Sequence, residues 1–407
     1  MGNYEVVPEG GITLPRGFKA GGLHCGLKKT ERHDLGVILC DVPAASAGVY
    51  TTNLFQAAPL LVTREALGEG GVLRAVIVNS GNANACTGEQ GEADARTMQA
   101  KLAEALGVPA DQVAVASTGV IGELLKMDRV VSGIEKLPGR LRDDAQGSED
   151  FCQAILTTDL VKKTSCVKLT VDGQEVTISG ASKGSGMIHP NMATMLGFVT
   201  TDAKIGAPLL QELLREVTDV TFNMITVDGD TSTNDMLVAM ASGLAENEEL
   251  TRSHPSFAAF ADGLRHVCED LAKAIARDGE GATKLIETRV VGASSDDAAR
   301  AIAKTVIGSS LVKSAAFGAD ANWGRIIAAV GRAGVEVNVG TVDIRLGDIS
   351  VLEQSRPVAF DEAVALEYLK GDTVMIHVDL NMGSGQAIAW GCDLTYDYVR
   401  INAAYRT

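Results

Sequence analysis

Two kinds of apolar spacing run along the chain. Gly36-Val37-Ile38-Leu39-Cys40-Asp41-Val42 and Ala75-Val76-Ile77-Val78 are nearly continuous apolar runs. Side chains alternate across a sheet, so such runs mark strands buried on both faces. Residues 10–80 therefore read as short strands and turns. Glu92 to Leu106 is rich in alanine and leucine at helical spacing and is stopped by Gly107 and Pro109. Gln112 to Ala116 is a further buried strand. Lys168 to Ile178 has two alternating arms around Asp172-Gly173, a pair that supplies a two-residue hairpin turn. Pro208 to Phe222 reads as a helix, and so does Ser256 to Arg277, with Ser253 and Pro255 as cap and first-turn residues. Asp296 to Thr305 is another helix, capped by Ser294 or Ser295. Val335 to Leu352 and Thr373 to Val399 alternate and carry Gly/Asp turns, so they read as strands. Both kinds of element occur in clusters in both halves. That predicts an α+β fold in which helices cover mainly antiparallel sheet.

Composition refines this picture. With 407 residues and 46% hydrophobic content, the chain can build one large domain or two to three ordinary ones. Aromatic residues are only 4% and glycines number 44, so the core must consist of small aliphatic side chains and tight turns. The net charge of −16 argues against nucleic acid and anionic membranes as partners. Neither a signal sequence nor an apolar run of membrane-spanning length is visible, and a cytoplasmic protein is expected. Seven cysteines lack Cys-x-x-Cys spacing and read as reduced core residues. The six histidines form no ligand pair, so no metal is expected. Gly383-Ser384-Gly385 and the Gly180–Gly186 run match neither a dinucleotide loop nor a P-loop.

Candidate chemistry centres on the run Lys183-Gly184-Ser185-Gly186-Met187-Ile188-His189-Pro190-Asn191-Met192-Ala193-Thr194-Met195-Leu196-Gly197-Phe198. Thr194 stands where a polar, glycine-rich loop meets an apolar stretch. Threonine is a poor nucleophile without an adjacent base. The smallest base available is its own α-amine, freed by a cut after the small Ala193. The same pattern also describes a threonine that merely opens a core strand.

Other motifs separate these readings. They are Asp41-Val42-Pro43-Ala44 with Gly48-Val49-Tyr50-Thr51-Thr52-Asn53, Val78 to Ala85, Ser117-Thr118-Gly119-Val120-Ile121-Gly122, Thr157-Thr158-Asp159, Thr226 to Asp235, and the ending Ile401 to Thr407. In this order, and over nearly the whole chain, they resemble the ornithine acetyltransferase family (glutamate N-acetyltransferase of arginine biosynthesis). The resemblance implies a two-lobed, layered Ntn-hydrolase-like fold. It also implies self-cleavage between Ala193 and Thr194 into an α chain of 1–193 and a β chain of 194–407, assembled as a heterotetramer of two α and two β chains. N-acetylornithine would give its acetyl group to Thr194, and glutamate would take it. No cofactor is implied. Some family members also use acetyl-CoA as donor, which this sequence leaves open.

The roles carried over are Thr194 as nucleophile, Thr118 and Gly119 as oxyanion donors, and Thr157, Lys183, Thr194, Glu280, Asn402 and Thr407 as substrate contacts. Thr158 is an alternative to Thr157. Lys183 offers a cation for the α-carboxylate, and Glu280, between Gly279 and Gly281, an anion for the ornithine ammonium. The tail after the strand-like Tyr396 to Ile401 must be ordered if it contributes. Asn79, Asn82 and Asn84 read mainly as satisfiers of buried backbone. Asp228, Asp230, Asn234 and Asp235 read as structural hydrogen-bonders near the site. Residues Lys313 to Arg325 suit a pocket or a subunit contact, and the sequence does not decide. Two rivals remain, an N-terminal-nucleophile aminopeptidase or amidase and a non-catalytic binding protein on this scaffold.

Overall fold

The computed structural model describes residues 3–189 and 195–404. They divide into two compact units, one of residues 3–184, 195–219 and 231–271, the other of 185–189, 220–230 and 272–404.

In the first unit, nine strands among the described residues form one sheet. Their order is Tyr4–Val6, Lys163–Val171, Gln174–Lys183, Leu196–Thr201, Met236–Ala241, Leu35–Tyr50, Val72–Asn82, Val113–Val120, with Phe18–Leu23 also paired to Leu35–Tyr50. Neighbours are antiparallel except where Leu196–Thr201 meets Met236–Ala241 and Val72–Asn82 meets Val113–Val120. The apolar runs are buried on both faces. Val76, Val78, Ala114 and Ala116 enter one core cluster with Phe18, Phe151 and Phe198. Ala75, Ile77, Val113 and Val115 enter another with Met98, Leu102 and Ile134. Helix Ala145–Ile155 supplies Phe151 and Cys152 to the first, and Gly88–Leu106 supplies Met98 and Leu102 to the second. Gly107 ends the latter helix with φ 65°, returning its N–H to the Ala103 carbonyl. In the hairpin, Asp172 and Gly173 take φ of 52° and 78°, the two left-handed residues of a type I′ turn.

The second unit holds a seven-stranded sheet among the described residues. Its order is Arg356–Pro357, Ile349–Glu353, Asp343–Leu346, Thr373–Asp379, Leu285–Ala293, Gly385–Cys392, Ile225–Thr226. Thr373–Asp379 buries Val374, Ile376 and Val378 in strict alternation, as a strand covered on one face does. Helix Asp296–Ile307 packs on Leu285–Ala293 and Gly385–Cys392. Its cap is Ser295, whose hydroxyl accepts from the Ala298 amide at 3.1 Å.

Several stretches depart from the spacing. Residues 10–80 contain the helix Ala58–Leu67, and Leu35–Tyr50 is a 16-residue strand whose register shifts between Leu39 and Ala44. The long helix runs Phe257–Arg277, so Ser253 does not cap it; its hydroxyl instead faces Thr251 Oγ1 at 3.2 Å. Residues 335–342 form no strand, and pairing begins at Asp343. Tyr396 to Ile401, read as strand, belongs to the helix Tyr396–Ala403. Thr395 Oγ1 starts it by accepting from the Asp397 and Tyr398 amides at 3.2 and 3.3 Å. Met127–Ile134, Ala145–Ile155, Ser310–Phe317, Trp323–Gly331 and Glu362–Leu369 are helices of eight to eleven residues without a counterpart in the spacing. No helix among the described residues is long and apolar enough to cross a membrane.

Phe198 is 1% exposed and meets Phe151 edge to face at 5.3 Å. Phe198→Ala should destabilise the protein by about 3–5 kcal/mol, the usual cost of emptying an aromatic site. Thermal unfolding should show a clearly lower midpoint, and an unchanged one would contradict this packing.

Candidate active site

Thr118, Gly119, Thr157 and Lys183 all lie in the first unit. The strand Val113–Val120 sets Thr118 opposite Ser80 and Gly119 opposite Gly81. A Cβ on Gly119 would stand 2.3 Å from the Gly81 carbonyl carbon, and its φ of +137° favours glycine. The strand expected to end at Ala116 thus continues to Val120, and Gly119 packs directly on Gly81 within the sheet. Neighbouring asparagines secure it. Asn79 donates to the Asn82 carbonyl, Asn82 to those of Glu123 and Leu124, and Asn84 to that of Gly91. Asn234 donates to the carbonyls of Ala83 and Ser117. Asn79 and Asn84 satisfy buried backbone, as expected of them, and Asn234 does so too, whereas Asn82 reaches the carbonyls of the exposed Glu123 and Leu124.

Lys183 ends the strand Gln174–Lys183 and pairs with Leu196, which follows Thr194 by two residues. Its ammonium is 3.4 Å from the Thr118 hydroxyl, and the side chain is buried. Asp159 is the anion beside it. Its carboxylate accepts from Lys163 Nζ at 2.7 Å, the Gly184 amide at 2.6 Å and the Thr157 amide at 3.0 Å. The side chains of Asp159 and Lys163 are both 0% exposed. Burial alone would push the Asp159 carboxyl up. Lys183, Lys163 and the Gly184 amide outweigh it and hold the group well below the ordinary carboxylate range.

One carboxylate here faces two buried ammonium groups. Burial raises the nearby Asp235 carboxyl well above the ordinary range, and Lys183 opposes the rise. The side chain and backbone of Ser232 hydrogen-bond to that carboxyl, while its Oδ2 has no partner, so Asp235 acts as the structural hydrogen-bonder its motif suggests.

Glu280 and Asn402 lie in the second unit. The Glu280 amide donates to the Ser185 carbonyl at 2.8 Å, and its carboxylate accepts from Asn402 Nδ2 at 2.8 Å. A Cβ on Gly186 would stand 2.4 Å from the Glu280 carboxyl carbon, so only glycine fits over it. Asp228 fixes the same segment by accepting from the Met187 and Ile188 amides at 2.6 and 2.9 Å. Tyr398 has its hydroxyl pKa raised by burial and then by Asp228, Glu280 and Asp230. Three carboxylates thus act on one phenol, an environment suited to a cation. His189 is neutral. Burial, with Lys304 nearby, pushes it down to about 4, and its Nδ1 faces Thr226 Oγ1 at 3.0 Å. Asn402 belongs to this cluster through the terminal helix rather than through a strand. Ala193, Thr194 and Thr407 lie outside the described residues.

Asp172, Glu248 and His254 form the one group among the described residues with metal-like spacing. His254 Nδ1 accepts from the Ser256 amide at 3.1 Å, so its proton sits on Nε2, 3.1 Å from Asp172. No ring lone pair is left for a metal.

The ArgJ family model matches residues 19–407. The chain belongs to the ArgJ family. The arginine biosynthesis bifunctional protein ArgJ of Geobacillus kaustophilus is 59% identical over 403 residues, 99% of this chain and 97% of that protein. The protein of the same name from Bacillus subtilis is 56% identical over 398 residues, 98% of this chain and 97% of that one. A crystal structure of arginine biosynthesis bifunctional protein argJ from Bacillus halodurans aligns with a TM-score of 0.51 at 62% identity, covering 51% of this chain and 98% of that chain. An acyltransferase of arginine biosynthesis, the class expected from the motifs, is what the ArgJ family comprises. The expected α+β class is likewise what the sheets and helices form.

Asp159 and Lys163 were absent from the sequence-derived candidates. The available signal was an acid and a lysine four residues apart, just past the Thr157-Thr158 pair. Asp159→Asn should destabilise the protein by about 3–5 kcal/mol, because it strands buried ammonium groups. The double change Asp159→Leu with Lys163→Met should cost less than the sum of the single changes, as denaturant unfolding would show. The folded carboxyl titrates below the unfolded value of about 3.9, so the pair's contribution is present above that pH and fades only in stronger acid.

Proposed function

We propose that the chain transfers an acetyl group from N-acetylornithine to glutamate, releasing ornithine and N-acetylglutamate. The observation that carries this reading is the opposite electrostatic character of the two residue sets. Lys183 sits in a positively charged group beside Thr118 and Gly119, and Glu280 sits with Asn402 among carboxylates. An N-acetylated diamino acid carries one carboxylate and one ammonium, and each set suits one of them.

The reaction begins with a cut between Ala193 and Thr194, giving an α chain of 1–193 and a β chain of 194–407. The sheet supports products that stay together. Leu196–Thr201 is bonded on one side to Gln174–Lys183 and on the other to Met236–Ala241, which itself pairs with Leu35–Tyr50. The half-length Bacillus halodurans chain also supports a divided precursor.

The Thr194 hydroxyl then attacks the acetyl carbonyl, and its α-amine takes the hydroxyl proton. Thr118 and the Gly119 amide donate to the oxyanion, a contribution of roughly 2.7–4 kcal/mol for each donor. The C–N bond breaks, ornithine leaves with the proton, and Thr194 holds the acetyl ester. Glutamate's amine attacks that ester and restores the hydroxyl. Lys183 and Thr157 hold the α-carboxylate end, and Glu280, Asn402 and Thr407 the side-chain end. Relatives named bifunctional support acetyl-CoA as a second donor. All seven cysteines are free, which suits a reducing compartment, and we place a heterotetramer of two α and two β chains in the cytoplasm.

A mass measurement and an acetyl-transfer assay test this together. Wild type should yield two fragments of similar size, Thr194→Ala one, and ornithine release should depend on glutamate. Active but uncut wild type would overturn the nucleophile, and equal release without glutamate would indicate an amidase. Thr118→Ala should lower kcat by about 10²–10³ with little change in KM, as an oxyanion donor does. Glu280→Gln should weaken N-acetylornithine binding far more than N-acetylglutamate binding, and calorimetry on Thr194→Ser would show it.

A further inference from the structure

The loop between Phe18–Leu23 and Leu35–Tyr50 has no part in that reading. Asp34, fully buried, shapes it. Its carboxylate accepts from the amides of Cys25 at 2.6 Å, Gly26 at 3.2 Å, Leu27 at 2.8 Å and Lys28 at 3.0 Å. Four amides on one carboxylate fix the path of the backbone, and with it the direction in which Lys28 leaves the loop. Lys28 is half-buried, and its Nζ donates to the His33 carbonyl at 2.6 Å. Its Cγ is 3.5 Å from where a Cβ on Gly81 would stand, and Gly81 is the residue on which Gly119 packs. The side chain therefore lies against Gly81, one residue contact away from Gly119.

Burial pushes the Lys28 ammonium down to about 8, Arg32 and Lys183 add to that, and Asp34 and Asp159 oppose it. The charge of Asp159 is already shared by Lys163 and Lys183. A further ammonium at this end of the sheet is unfavourable until an anion joins it.

The acetyl-transfer reading, on which this inference rests, requires the enzyme to bind two unlike amino acids. N-acetylornithine carries one carboxylate and one ammonium, whereas N-acetylglutamate carries two carboxylates. Glu280 and the acids around Tyr398 favour the ammonium and repel a second carboxylate. The dicarboxylate needs a second cation elsewhere. We propose that Lys28 binds the side-chain carboxylate of the glutamate-type substrate while Lys183 keeps the α-carboxylate. Lys28 is then a specificity residue for one half of the reaction and a bystander in the other.

Steady-state transfer with Lys28→Gln and Lys28→Arg tests the assignment. In Lys28→Gln the KM for glutamate should rise by roughly tenfold or more, ~1.4 kcal/mol, while that for N-acetylornithine stays within about twofold. Lys28→Arg should recover most of the loss. Equal rises in both KM values, or none in either, would overturn the proposal. The substrate side gives an independent readout that does not depend on the variant's folding. Wild type should be inhibited more strongly by N-acetylglutamate than by N-acetylglutamine, whose side chain is neutral, and Lys28→Gln should treat them alike. No preference in wild type would also overturn it. A wild type without any acetyl transfer would remove the proposed function instead. Calorimetry of N-acetylglutamate on wild type against Lys28→Gln would then decide on Lys28, with equal affinities counting against it.

Discussion

Asp159 carries the charge on which the Lys183 end of the first unit depends. A carboxylate with no exposure to water survives there only because Lys163, Lys183 and the Gly184 amide all turn toward it. In return it lets two lysines lie buried in adjacent strands of the sheet. Remove the anion and neither lysine has a reason to stay. The Gly184 contact also ties the end of a strand to the same point, so one group fixes a side chain and the backbone that bears it.

The chain as a whole is strongly acidic, with a net charge of −16. Local arrangement nevertheless decides what each site attracts. In the first unit, Lys163 and Lys183 both turn to Asp159, and burial raises the Asp235 carboxyl well above its ordinary range. In the second unit, Asp228, Asp230 and Glu280 act together on Tyr398. Net charge describes the solvent-facing surface. The discriminating fields belong to a few local groups, buried around Asp159 and only partly buried around Tyr398.

Much of this was legible in the chain, for identifiable reasons. Val76 to Val78 could be read as a doubly buried strand because a run without polar residues has no solvent-facing side. Gly107 and the Asp172-Gly173 pair could be read because each needs a left-handed conformation. Tyr396–Ala403 could not be read, because its start is set by the Thr395 cap and its short pattern imitates alternation. Asp159 and Lys163 were hidden for a different reason. Charged residues in a row look like a solvated loop, and only the fold reveals that both side chains are dry. The reach of Lys28 depends on four amides converging on Asp34, a geometry with no linear signature.

The position of Leu196–Thr201 also constrains the order of biosynthesis. This strand is enclosed by Gln174–Lys183, made before it, and Met236–Ala241, made after it. Met236–Ala241 is in turn bonded to Leu35–Tyr50, nearly 200 residues upstream. The ribosome must therefore release residue 241 before the sheet can close, and the early strands wait with an unfilled edge until then. Closing a loop of that length is slow, because the entropy cost precedes the contacts that offset it. Both edges of Leu196–Thr201 are consequently filled only in a chain made as far as residue 241. A copy truncated before that point leaves the middle of the sheet open, so its integrity reports on synthesis of both flanking segments.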